Sequence, residues 1–137
     1  MAEDLISVRQ KIEIPFQYTA GPAMTRFLEG LKQKTILAGV CSQCGRSSVP
    51  PLSFCGRCWQ PITIYKPLSG EGTLSSYTRS GDGSVYGLIR LDGSDSSIVH
   101  RLGPGEVTAS AGARVRPAWS EQRAAGILDI EYFQLVG

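Results

Sequence analysis

All four cysteines of this 137-residue chain sit in one short stretch, Cys41-Ser42-Gln43-Cys44 followed by Cys55-Gly56-Arg57-Cys58. Two C-x-x-C pairs separated by a ten-residue loop bring four thiolates to the corners of a tetrahedron, each pair closing a tight knuckle round one metal ion. Zinc suits that geometry, with Zn–S bonds of about 2.3 Å. Gly45 follows the first knuckle, where the turn needs a positive φ that glycine adopts without a Cβ clash. Trp59 holds the equivalent place after the second, which predicts a less regular knuckle there. Two disulfides are the other reading of four cysteines. Nothing in the chain points to an oxidising compartment, so metal is preferred.

Four cysteines fill the coordination shell, so the metal is expected to be structural, with no open position for a reacting water. Spacing alone does not separate zinc from iron, and zinc is the default. Structural zinc supplies about 10–16 kcal/mol in small finger peptides, against a total stability of about 5–15 kcal/mol for a whole domain. A segment as short as residues 36–66 cannot bury enough apolar surface to fold alone. The ion should decide whether it folds.

Net charge is +2, from fourteen basic and twelve acidic residues spread along the chain, which is too balanced to mark a dedicated polyanion binder. The first residues, Met1-Ala2-Glu3-Asp4-Leu5, are acidic and carry no apolar signal region. No apolar run approaches the roughly 20 residues of a membrane helix. A cytoplasmic protein with reduced thiols is expected.

The rest of the chain divides round the cysteines. Residues 1–35 read as an N-terminal arm and a helix. Ile12 and Ile14 alternate in the arm, which is either frayed or laid on a partner surface. Met24, Phe27, Leu28 and Leu31 then fall at i, i+3, i+4 and i+7, one apolar stripe that covers either the chain's own core or a partner. Residues 36–66 are the ribbon, with Val49-Pro50-Pro51 a rigid connection and 61–65 a strand leaving the second knuckle. Lys66-Pro67-Leu68-Ser69-Gly70 reads as a turn-rich boundary.

Residues 67–137 show short strands at 72–78, 85–91, 97–102, 113–119 and 127–133, separated by glycine-rich turns. Five such strands suggest a small closed barrel, and five is the strand count of an OB-fold. Pro117 cannot donate to a ladder and should lie at an edge or bulge. The fold class is therefore mainly β: an N-terminal helix, a rubredoxin-like zinc ribbon and a five-stranded OB-fold barrel.

That order of parts resembles the zinc-ribbon OB-fold proteins of the DUF35 family. The residues carrying the resemblance are Cys41-x-x-Cys44-Gly45, Pro50-Pro51, Cys55-x-x-Cys58, Leu68-Ser69-Gly70-Glu71-Gly72-Thr73-Leu74, Ser76-Tyr77-Thr78 and Gly112-x-x-Val115. It covers the chain from about Met24 onward. The resemblance implies an accessory subunit in a hetero-oligomer with a thiolase-like large subunit that makes or breaks C–C bonds on acyl-CoA thioesters. The ending Gly126-Ile127-Leu128-Asp129-Ile130 is similar to that of small subunits of thiolases in anaerobic aromatic degradation, such as benzoylsuccinyl-CoA thiolase.

The residues independently argue against catalysis by this chain. Thiolysis needs a thiolate, a second acid/base group and an oxyanion hole. Every cysteine is committed to metal, and the one histidine, His100, lies in an expected strand. Candidate contacts to the phosphates of CoA are Arg101, Arg114, Arg116 and Arg123, with Trp119 as a stacking plane for adenine. Ordinary solvated arginines are the plainer reading of the same residues. The stripe Met24, Phe27, Leu28 and Leu31, together with the ribbon, is the candidate docking surface. Two other functions remain in view. A zinc ribbon and an OB-fold also occur in single-strand nucleic-acid binders, which the missing basic footprint disfavours. A stand-alone acyl-CoA-binding protein is the other.

Overall fold

The computed structural model describes residues 4–105 and 107–136; Met1, Ala2 and Glu3 of the expected arm lie outside them. Residues 4–20 are an arm without regular secondary structure. The 3.6-residue period becomes helix α1, Gly21–Lys32, with Pro22 in its first turn. The chain reverses through Lys34, at φ 59, and the amides of Gln33 and Thr35 both donate to the Gly30 carbonyl.

The helix does not offer its apolar stripe to a partner. Phe27 is 2% exposed and Leu31 0%, and both sit in one core cluster with barrel residues such as Leu74, Ile89 and Phe133. Met24 and Leu28 pack against the same cluster. The expected docking face is thus corrected to a core face. Periodicity reports that one side of a helix is apolar, and here the chain itself provides the cover.

Three short strands make the ribbon sheet: β1 (Ile36–Val40), β2 (Ser47–Ser48) and β3 (Ile64–Leu68), in the order β2-β1-β3 and antiparallel throughout. The strand expected at 61–65 lies further along, and Lys66, Pro67 and Leu68 are strand rather than boundary. They pair with the start of β1, Ile36 with Leu68 and Leu37 with Pro67. Proline is tolerated because β3 is an edge strand, which leaves one side of its backbone unpaired.

The barrel strands are β4 (Gly72–Arg79), β5 (Val85–Leu91), β6 (Ser97–Gly103), β7 (Arg114–Trp119) and β8 (Ile130–Leu135). They close in the order β4-β5-β6-β8-β7, with β6 and β8 parallel and every other pair antiparallel. Strand β5 alternates buried and exposed at every residue, the pattern of a sheet with one face to a core. The fifth strand starts later than expected, because Ile127–Asp129 form a 3-10 turn before it. Pro117 lies beyond the two β7 residues that pair with β4, next to a register shift at Ala118 and Trp119.

The Gly70-Glu71-Gly72 entry into the barrel is fixed by close approach. Gly70 has φ +89, and a Cβ on it would meet the Pro117 ring at 3.0 Å. A Cβ on Gly72 would stand 2.6 Å from the Arg90 carbonyl oxygen, so no side chain fits while β4 pairs with β5.

Ribbon and barrel share more than that link. Ile36, Ala38 and Val49 of the ribbon belong to the same core cluster as the barrel residues. Strand β2 is laced to the β5–β6 turn. The Ser47 amide donates to the Asp95 carboxylate at 2.9 Å and the Asp95 amide to the Ser47 carbonyl at 3.0 Å. The Val49 amide donates to Ser96 Oγ at 2.9 Å, and that hydroxyl returns a bond to the Val49 carbonyl at 3.1 Å. Among the described residues, no helix is long and apolar enough to cross a membrane.

Candidate metal centre

The two knuckles are built alike. In the first, the Cys41 amide donates to the Arg46 carbonyl and the Gly45 amide to the Cys41 carbonyl, both at 2.9 Å. In the second, the Cys55 amide donates to the Gln60 carbonyl and the Trp59 amide to the Cys55 carbonyl, again at 2.9 Å. Gly45 has φ 77 and Trp59 φ 60, so Trp59 adopts the left-handed turn that glycine takes in its counterpart. The expected irregularity is absent. The same pair of backbone bonds dictates the same dihedral, whatever side chain stands there.

These turns bring the four cysteine sulfurs within 4.8 Å of one another, with Cys44 Sγ and Cys55 Sγ 3.7 Å apart. A tetrahedron with Zn–S bonds of about 2.3 Å has S–S edges of roughly 3.8 Å. All four cysteines are free thiols, so the disulfide reading falls. Cys41 and Cys55, the first of each pair, are buried beside Ile62; Cys58 is half-buried and Cys44 exposed.

Backbone amides favour ionisation of the inner sulfurs. The amides of Arg57 and Cys58 pull the Cys55 thiol down to about 6, and the amide of Cys44 lowers Cys41. Cys58 is pushed up to about 12, chiefly by its hydrogen bond with the Cys44 sulfur and by burial. Thiolates this close cannot all ionise unless a cation joins them. A dication at the centre offsets that repulsion, and its four sulfur ligands leave no coordination position for chemistry. The donor set is that of a structural zinc site.

Residues 28–61 match the family model described as "ChsH2, rubredoxin-like zinc ribbon domain". Among solved structures, a DUF35-family protein of unknown function from Sulfolobus solfataricus aligns with a TM-score of 0.64 at 25% identity, over 84% of each chain. The ribbon thus matches the ChsH2 zinc-ribbon model, and the chain as a whole is similar in fold to DUF35-family structures. A second structure, "Ltp2-ChsH2(DUF35) aldolase", aligns with a TM-score of 0.60 at 20% identity, over 80% of this chain and 90% of that one, a likeness of fold. No curated protein gives a significant match.

On this DUF35-type frame the five candidate CoA contacts are not gathered. Arg101 is on β6, and β8 separates it from Arg114, Arg116 and Trp119 on β7. Arg114 is engaged by Asp92 and Thr73, with Glu71 at 3.7 Å. Arg123 donates to the Lys32 carbonyl at 2.9 Å and the Ser120 carbonyl at 2.8 Å, tying the β7–β8 loop to the end of α1. Arg116 faces Gln134 across the β7–β8 ladder, and Trp119 packs against the core. Of the five, Arg101 alone borders a largely apolar groove of 370 Å³, formed with Tyr86, Val99, Ile127 and Leu128 and also lined by His100 and Glu131.

His100 is a packed residue. Its ring lies edge-on to Phe133 with centroids 5.3 Å apart, and its nitrogens sit 3.4 Å and 3.3 Å from the Arg101 and Ile127 carbonyl oxygens. Two groups escaped the sequence reading. The buried Asp129 carboxylate accepts the amides of Ala124 and Ala125 and shapes the β7–β8 loop. At the outer end of the ribbon Leu52, Phe54 and Trp59 stand in solvent. Their signal was available as apolar residues in a segment too short to cover them.

Proposed function

We propose that this protein is a non-catalytic accessory subunit of a thiolase-like enzyme acting on acyl-CoA thioesters, held by a partner in the cytoplasm as a hetero-oligomer. The observation that carries the reading is the DUF35-type pairing of ribbon and barrel, which the "Ltp2-ChsH2(DUF35) aldolase" shares. The chemistry of the chain supports it. Its four thiols are grouped at one metal centre and its histidine is wedged between carbonyls, so no thiolate stands beside a base to attack a thioester. Arg101, which lines the apolar groove, is the candidate contact to acyl-CoA at the subunit interface.

The test is co-expression with a thiolase-like enzyme of the source genome, followed by size-exclusion chromatography and a thioester cleavage assay. A stable complex is expected, active where the isolated chain is not. Cleavage of acetoacetyl-CoA by the chain alone, or full activity of the enzyme without it, refutes the assignment.

A further inference from the structure

The outer end of the ribbon is a small, rigid hairpin. The Ile62 amide donates to the Ser53 carbonyl, the Cys55 amide to the Gln60 carbonyl, and Phe54 and Pro61 form an isolated bridge between them. The second knuckle closes its tip. On this frame Leu52 is 48% exposed, Phe54 57% and Trp59 78%.

Trp59 is the informative member. Its turn requires the left-handed conformation, which disfavours an L side chain and which Gly45 occupies in the first knuckle. The indole is surrounded by solvent, so folding gains nothing evident from its presence. Strain retained at an exposed aromatic points to a role outside the chain.

Charge narrows what that role meets. Between Glu29 and Glu71 there is no acidic residue, while Lys32, Lys34, Arg46, Arg57 and Lys66 are basic. Four thiolates and a zinc dication together contribute two negative charges, so this segment stays net positive, five minus two. Arg57 lies in the turn between Phe54 and Trp59 and, among the described residues, has no ion-pair partner.

We infer that the ribbon tip is a docking site for an acidic, apolar-pocketed surface of the protein partner, with Trp59 and Phe54 as its anchors and Arg57 facing carboxylates. The kind of partner rests on the accessory-subunit reading. Aromatic and arginine side chains dominate the energetics of such contacts, and opposite charge steers the encounter. Single-stranded nucleic acid is the less fitting occupant. It is held in a basic groove with successive stacking platforms, whereas this tip carries an aliphatic Leu52 between its prolines and Phe54.

The conformation of Trp59 supplies a clean test. Trp59→Gly removes the anchor and relieves the turn, so zinc content should be unchanged and thermal stability equal or higher. Affinity for the purified thiolase-like enzyme should fall at least about tenfold. Phe54→Ser should weaken it similarly, and Arg57→Glu should slow association most at low salt. If the unaltered chain forms the complex and Trp59→Gly binds within about twofold of it, the tip inference falls while the accessory role stands. If the unaltered chain forms no complex, the accessory role falls and the tip loses its proposed occupant. Saturable binding of an oligothymidine that quenches tryptophan fluorescence, lost in Trp59→Gly, overturns the assignment in favour of nucleic acid.

Discussion

Phe27 shows how one residue's meaning depends on its cover. It lies in an apolar stripe that a partner or a core could equally use, and the core has it. Phe27→Ala should therefore act on folding, by about 3–5 kcal/mol for deletion of a buried phenyl ring. The measurement is the denaturant midpoint of the isolated chain. A variant that unfolds like the parent contradicts the packing described for α1. Trp59 is the converse case. Its backbone conformation was hidden because residue type predicts φ only on average, while two hydrogen bonds fix it here. The cysteines were legible because metal geometry constrains spacing so tightly that four residue positions suffice.

Among the elements, β5 and β6 could be read from the sequence, as short β-prone runs bounded by the turn-forming segments Ser80-Gly81-Asp82-Gly83-Ser84, Asp92-Gly93 and Gly103-Pro104-Gly105. Strand β1 could not. Ile36-Leu37-Ala38-Gly39-Val40 is continuously apolar, with both faces largely covered, and period-two reading has nothing to detect. The lacing of β2 to the β5–β6 turn was equally invisible, because its partners lie 47 and 48 residues apart. It is now testable. Ser96→Ala strips both partners from the buried Val49 backbone and should cost about 1–3 kcal/mol in equilibrium unfolding. A negligible change would show that water replaces the hydroxyl.

Asp95 in the same lacing has its carboxyl held below the usual range, first by the Ser47 amide. A depressed carboxylate contributes stability that is present above its unfolded pKa, about 3.9, and is lost as pH falls through the lower folded value. Asp95→Asn should thus flatten the decline in stability below about pH 4. Paired denaturant titrations at pH 6 and pH 3 measure it, and parallel losses in both proteins would refute it.

For the molecule as a whole, the decisive fact is the main core that ribbon and barrel share, beside the small separate cluster of Cys41, Cys55 and Ile62 at the metal site. The tripartite order of arm and helix, ribbon, and barrel was legible. That Ile36, Ala38 and Val49 share a cluster with Leu74 and Phe133 was not, since sequence separation hides such contacts. The zinc ribbon should therefore not melt as an independent annex. Removal of zinc by a chelator should lower the melting temperature of the chain in one cooperative transition, and elemental analysis of the native protein should give about one zinc per chain. Two separated transitions, with the barrel retained at its original temperature, would overturn this.

The closed order of the barrel strands has a further consequence for manufacture in the cell. A subunit must often wait for its partner, since two genes are rarely translated in perfect step, and an open sheet edge during that wait recruits copies of itself into aggregates. Here the barrel has no free strand, and the exposed ribbon edge, β3, carries Lys66 and Pro67 as deterrents to pairing. An excess of this chain should therefore resist edge-to-edge pairing and, on the accessory-subunit role proposed above, supply of the partner rather than survival of this chain would set how many complexes form.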